Sequence, residues 1–77
     1  MKFTEFEDKF YDALMKRHEF VDIELKDHTH IYATGYEYES LNFVRLKFYI
    51  RGLSYELPVA TINLESIEKI SDPRENK

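Results

Sequence analysis

The sequence predicts an α+β domain, mainly β: an N-terminal helix followed by a five-stranded antiparallel sheet bent into a small barrel. Three observations carry that prediction. A capping signal and an apolar stripe at helical spacing occupy about residues 4–18. From Glu19 onward the apolar period changes to two, as in half-buried strands. Two small residues, Ala33 and Gly35, stand where a tightly curved sheet needs room.

The helix is written into "MKFTEFEDKF" and its continuation. Thr4 and Glu7 form a T-x-x-E capping box, in which each side chain satisfies the other residue's free backbone N–H. Glu5, Glu7 and Asp8 crowd the start and Lys16, Arg17 and His18 the end, as the helix dipole prefers. Phe6, Phe10, Ala13 and Leu14, joined by Phe3, make one apolar stripe suited to packing on a sheet.

In the first strand Val21, Ile23 and Leu25 alternate with Asp22, Glu24 and Lys26. The carboxylates of the helix and this strand are expected on a solvated face. A second strand is expected over Thr29 to Tyr38 and a third over Phe43 to Arg51. In the third, Val44, Leu46, Phe48 and Ile50 face one way, and Phe43, Arg45, Lys47, Tyr49 and Arg51 the other. A fourth covers Tyr55 to Ile62, Asn63 to Ser66 form a single helical turn, and Ile67 to Ile70 form the last strand. Residues 1–71 thus make one domain, and 72–77, within "SDPRENK", a polar tail.

Parity constrains the hairpins. Placing Ile31, Ala33 and Gly35 opposite Leu25, Ile23 and Val21 leaves Asp27, His28 and Thr29 as the loop. His28 or a neighbour then takes a positive φ, for which His, Asn and Asp are the tolerated alternatives to glycine. A loop of Glu39 to Asn42 sets Tyr38 opposite Phe43, Tyr36 opposite Arg45, Thr34 opposite Lys47, Tyr32 opposite Tyr49 and His30 opposite Arg51. The outer face would then carry a candidate interaction surface: Tyr32, Tyr36, Tyr38, Phe43, Arg45, Lys47, Tyr49 and Arg51. Aromatic and basic side chains of this kind suit a protein interface or single-stranded nucleic acid, and aromatic pairs also stabilise a sheet outright.

Composition bounds the rest. Seventy-seven residues with no cysteine and a net charge of −4 leave room for one small core and no disulfide. The charge argues against a generally basic nucleic-acid binder, although Arg45, Lys47 and Arg51 form a local basic strip. No apolar run is long enough for a signal peptide or a membrane span, so a soluble, cytoplasmic protein is expected. His28 and His30, with Glu37 or Glu39, are too few and too scattered to argue for a metal site. No phosphate loop or triad-like set is present, so no catalytic residue, cofactor or small-molecule substrate is expected.

The stretch "VDIELKDHTHIYA" resembles the opening V-x-L-x-D-G motif of the Sm-like family of small SH3-like barrels, with His28 in the glycine's place. "YESLN" is similar to the end of that motif, with Glu39 for the usual Asp and one residue fewer before Asn42. The second motif of the family centres on Arg-Gly, and "YIRGLSYEL" holds Arg51-Gly52, here after the third strand rather than between the last two. The resemblance implies an SH3-like fold, ring-forming strand edges and a role for Asn42 as a base-contacting loop residue. Two functions are therefore expected as alternatives. One, preferred, is a non-catalytic protein-interaction or oligomerisation module that uses the tyrosine and arginine face or the edge of the fourth strand, with a protein or a second copy as partner. The other is an Sm-like RNA-binding protein.

Overall fold

The computed structural model describes residues 1–17, 20–49 and 56–72, the side chains of Lys16, Arg17 and Glu56 excepted. It is a mainly β, α+β structure: helix α1 (Phe3–Arg17) and six strands, β1 (Val21–Leu25), β2 (His30–Ala33), β3 (Gly35–Ser40), β4 (Phe43–Tyr49), β5 (Glu56–Asn63) and β6 (Ile67–Ser71). A single 3-10 turn, Leu64–Ser66, joins β5 to β6. Two antiparallel sheets form, ordered β2-β1-β6 and β3-β4-β5.

The expected five-stranded, strongly bent small barrel is thus corrected to six strands in two sheets, with no closed barrel among the described residues. The extra strand arises where the predicted Thr29–Tyr38 strand breaks at Thr34. There the Thr34 N–H donates to the Lys47 carbonyl (2.9 Å) and the Tyr49 N–H donates to Thr34 Oγ1 (2.7 Å). Thr34 ties the corner to β4, and the chain passes from one sheet to the other with small Ala33 fully buried beside it.

Helix α1 begins two residues earlier than the capping box implies. The Phe6 N–H donates to the Lys2 carbonyl (2.9 Å), so Lys2 stands at the N-cap and Thr4 lies inside the first turn. Glu7 accepts instead from the Tyr36 hydroxyl, 2.9 Å away. The apolar stripe behaves as expected: Phe6, Phe10 and Ala13 are buried, and Phe3 and Leu14 pack against them. They meet Val21 and Ile23 of β1, Ala33 of β2, Val44 and Leu46 of β4, Ile62 of β5, Leu64, and Ile67 of β6. Burying a phenylalanine such as Phe6 contributes about 1.5–3 kcal/mol, a large share of a small domain's margin.

The first hairpin keeps its predicted face and slides along it. Val21 pairs with Ala33 and Ile23 with Ile31, two residues from the expected register. The loop is Lys26-Asp27-His28, closed by His28 N–H to the Leu25 carbonyl (2.9 Å) and Leu25 N–H to the Thr29 carbonyl (2.8 Å). His28 has φ 71°, the left-handed position that ends three-residue hairpin loops and favours glycine. Asp27 Oδ1 braces the loop by accepting from the Thr29 hydroxyl (2.6 Å) and N–H (3.0 Å). Those two bonds hold the Asp27 carboxyl below the usual carboxylate range.

The second hairpin does not keep its face. Its register shifts between Tyr38 and Ser40, where Glu39 is a bulge, and its turn shrinks to Leu41-Asn42. Tyr36 pairs with Leu46 and Tyr38 with Val44, rather than with Arg45 and Phe43. A one-residue offset turns every side chain of a strand to the other face.

The 3-10 turn is pinned at both ends. Asn63 caps it, accepting from the Glu65 N–H at 2.9 Å. Leu64 N–H donates to the Asn42 carbonyl (2.7 Å) and Lys26 N–H to the Ser66 carbonyl (2.8 Å), so both hairpin ends hold it. Ser71 closes β6 and Asp72, expected to start the polar tail, is 2 % exposed. His18, Ile50, Arg51, Gly52, Tyr55 and the rest of the tail lie outside the described residues.

Candidate interaction surface

The residues expected to form one aromatic and basic face are divided between two faces and two sheets. Tyr36 and Tyr38 turn toward α1. The Tyr36 ring lies edge-on to Phe6 and Phe10, with centroids 5.0 Å away in each case, and Tyr38 meets Phe3 at 5.0 Å. Burial, and then the Glu7 carboxylate at its hydroxyl, push the Tyr36 phenol up to about 12. Tyr38 remains 55 % exposed at the rim of this cluster. Tyr32 belongs to β2, outside the β4 ladder, and stacks edge-on to Phe20 at 5.4 Å. Arg51 lies outside the described residues.

Arg45 and Lys47 stay on the outer face of β4, and the shifted register gives them acidic neighbours. Arg45 reaches Glu39 at 2.7 Å and Glu37 at 3.6 Å, while Lys47 donates to Glu37. The Lys47 hydrogen bond, with its charge, holds the Glu37 carboxyl below the usual range. Phe43 and Tyr49 share that face, both partly exposed. Asn42 sits in the exposed turn with its carbonyl engaged by Leu64.

The two histidines go to different carboxylates. His30 Nδ1 lies 2.8 Å from Asp22 Oδ1, and the exposed His28 ring lies 3.4 Å from Glu24. The bond to Asp22 raises the His30 pKa above its ordinary value. Asp22, expected on a solvated face, is 5 % exposed. The reason is its place on β1, the middle strand of its sheet, between Tyr32 and Ser71. Nothing in the alternation of "VDIEL" distinguishes a central strand from an edge. Among the described residues no group of three or more His, Asp or Glu side chains is arranged to hold a metal ion.

The edges of the sheets supply a surface that side-chain patterns did not. The bonds from Thr34 N–H to the Lys47 carbonyl and from Leu64 N–H to the Asn42 carbonyl establish how β4 alternates. Its odd residues turn their backbone groups toward β3 and its even residues toward β5. Ile62, Ala60 and Leu57, opposite Val44, Leu46 and Phe48, therefore pair with β4. Thr61, Asn63 and Pro58, opposite Arg45, Phe43 and Lys47, turn theirs outward along the open side of β5, the Asn63 carbonyl taking the first bond of the 3-10 turn that it caps. Pro58 thus costs the β4–β5 ladder no donor, because the N–H it lacks would have faced away.

β5 has no described neighbour on its second side, and "LPVATIN", residues 57–63, carries no charge. Free edges are usually protected by charged side chains, proline or bulges. Here Pro58 and a bulge at Val59, which is 44 % exposed, blunt only the first half. Thr61 and Asn63 leave the second half open. The sequence signal was present in that uncharged run, but only the register shows which amides face out.

No protein-family model, no curated protein and no solved structure matches this chain. None of the helices is long and apolar enough to cross a membrane, among the described residues.

Proposed function

We propose that the chain is a non-catalytic protein-interaction or oligomerisation module that works by adding a strand to the open side of β5. The observation that carries this reading is the uncharged edge at Thr61 and Asn63, whose outward backbone groups have no described strand beside them. Strand addition draws affinity from main-chain hydrogen bonds and specificity from side chains on alternate sides. A chain this short also gains stability from a partner, since its own core is small.

In architectural terms we read the two sheets as an open relative of the small SH3-like, Sm-like barrels. Taking β2 and β3 as one strand bent at Thr34 reduces six strands to five and gives the order β6-β1-β2/β3-β4-β5. RNA binding of the Sm-like type is not the reading we adopt. It needs cations free to follow phosphate beside exposed rings, whereas Arg45 and Lys47 face Glu37 and Glu39 and Tyr36 faces α1.

The test compares partners retained by the immobilised wild-type chain, by Thr61→Pro and by Thr61→Ser. Proline removes one outward N–H without touching the β4 ladder; serine keeps it. The reading expects partners, or further copies of the chain, to be retained by wild type and Thr61→Ser and lost by Thr61→Pro. Equal retention by all three contradicts it.

A further inference from the structure

We infer that the strand β5 accepts is the β5 of a second copy, paired antiparallel about a two-fold axis through Ile62. The inference rests on the reading of β5 as the working edge and names its occupant.

Symmetry is the first argument. The outward backbone groups belong to Thr61 and Asn63, one on each side of Ile62. An antiparallel copy centred on Ile62 sets each Thr61 opposite the second copy's Asn63. The Asn63 N–H donates to the facing Thr61 carbonyl, and the Thr61 N–H donates to the second lone pair of the Asn63 carbonyl, whose first is taken by the 3-10 turn that Asn63 caps. Residue 58 then falls opposite residue 66, beyond the end of β5 at Asn63, so the donor missing from Pro58 is not called upon. The proline and bulge that obstruct a longer strand fit a pairing this short.

Charge is the second. The chain carries −4, so two copies meeting at an acidic face repel. Glu37 and Glu39 lie on the other edge strand of the same sheet, and Glu68 and Lys69 on the β6 edge. Residues 57–63 of β5 are neutral, and the nearest outer-face cation, Arg45 opposite Thr61, is already paired with Glu39. A charged peptide finds nothing to read on this edge; an identical neutral strand finds a match.

Packing is the third. Ile62 faces the core with Val44, and the axis places Ile62 beside its own copy, so the apolar layer continues across the seam. Two three-stranded sheets become one of six strands, and each copy loses an exposed edge.

Light scattering on a gel-filtration peak tests the inference, with the wild-type chain, Thr61→Pro and Thr61→Lys. Lysine keeps the backbone and sets a charge at the seam, and circular dichroism shows whether each variant folds. The expected result is twice the 9.3 kDa chain mass for wild type and a single chain mass for both folded variants. A mixture of Thr61→Cys and Asn63→Cys chains, in a protein with no other cysteine, is expected to cross-link on oxidation. A wild-type monomer at millimolar concentration overturns the inference. If Thr61→Pro still loses a different partner in that case, the β5 edge reading stands without it. A dimer untouched by Thr61→Lys, or a mass of six or seven chains, also overturns it.

Discussion

His28 holds φ 71° at the end of the first hairpin loop, a position where a side chain costs about 1 kcal/mol relative to glycine. Its ring returns little of that, being exposed and 3.4 Å from Glu24. His28→Gly is expected to raise the unfolding midpoint by a few degrees, and His28→Val to lower it, as thermal denaturation would show. The turn was legible in "KDHT", because Asp and His tolerate such backbone. Which of them takes the positive φ was not, since that depends on a register set by β2. His30 is the second residue with a measurable consequence. Its pKa is raised by the bond to buried Asp22, so the charged form is favoured in the folded state. The stabilisation is fully present below the unfolded value, about 6.5, and is lost as pH rises through the higher folded value. Thermal midpoints of wild type are expected to fall over that window relative to those of His30→Asn. A parallel pH profile for the two proteins would contradict the pairing.

At the scale of elements, α1 and the strands were legible in their apolar periods, whereas the Thr4–Glu7 capping box did not form and the faces of β3 were not legible. The apolar stripe from Phe6 to Ala13 faces the core as its spacing required. The tyrosines of β3 turned over because one residue, Glu39, bulges out of the ladder. Alternation alone carries no mark of a bulge. The outcome places Tyr36 between α1 and β4, with its hydroxyl on Glu7. Tyr36→Phe is expected to cost about 1.5–3 kcal/mol, the range for a hydrogen bond to a charged group. Phe6→Ala, by contrast, empties a fully buried site and is expected to cost about 3–5 kcal/mol. Urea unfolding that ranks the two in the opposite order would contradict the placement of α1. The Arg45 and Lys47 pairs with Glu37 and Glu39 are exposed and are each worth no more than about 1 kcal/mol. Their importance lies in neutralising the outer face.

For the whole molecule, a helix followed by an antiparallel meander was readable from the sequence, including the helical turn before the last strand. Closure was not. Thr34 ties the corner between the two sheets by two hydrogen bonds, and neither residue type nor period announces such a corner. The burial of Asp22 and Asp72 was equally hidden, because it follows from which strand lies centrally and where the chain returns. The candidate surface moved for the same reason. Of the two surfaces expected, the tyrosine and arginine face is divided between sheets, and the proposed strand addition falls on the edge of the fourth expected strand, β5. The central claim is that the Thr61 backbone groups and the Asn63 N–H are open in the single chain and become paired in its assembly. Residue-resolved amide hydrogen exchange at low and high protein concentration tests it most directly. The account predicts fast exchange at Thr61 and Asn63 in dilute solution, slow exchange at high concentration, and no change at Ala60 and Ile62. Slow exchange at Thr61 and Asn63 in the dilute monomer would contradict it.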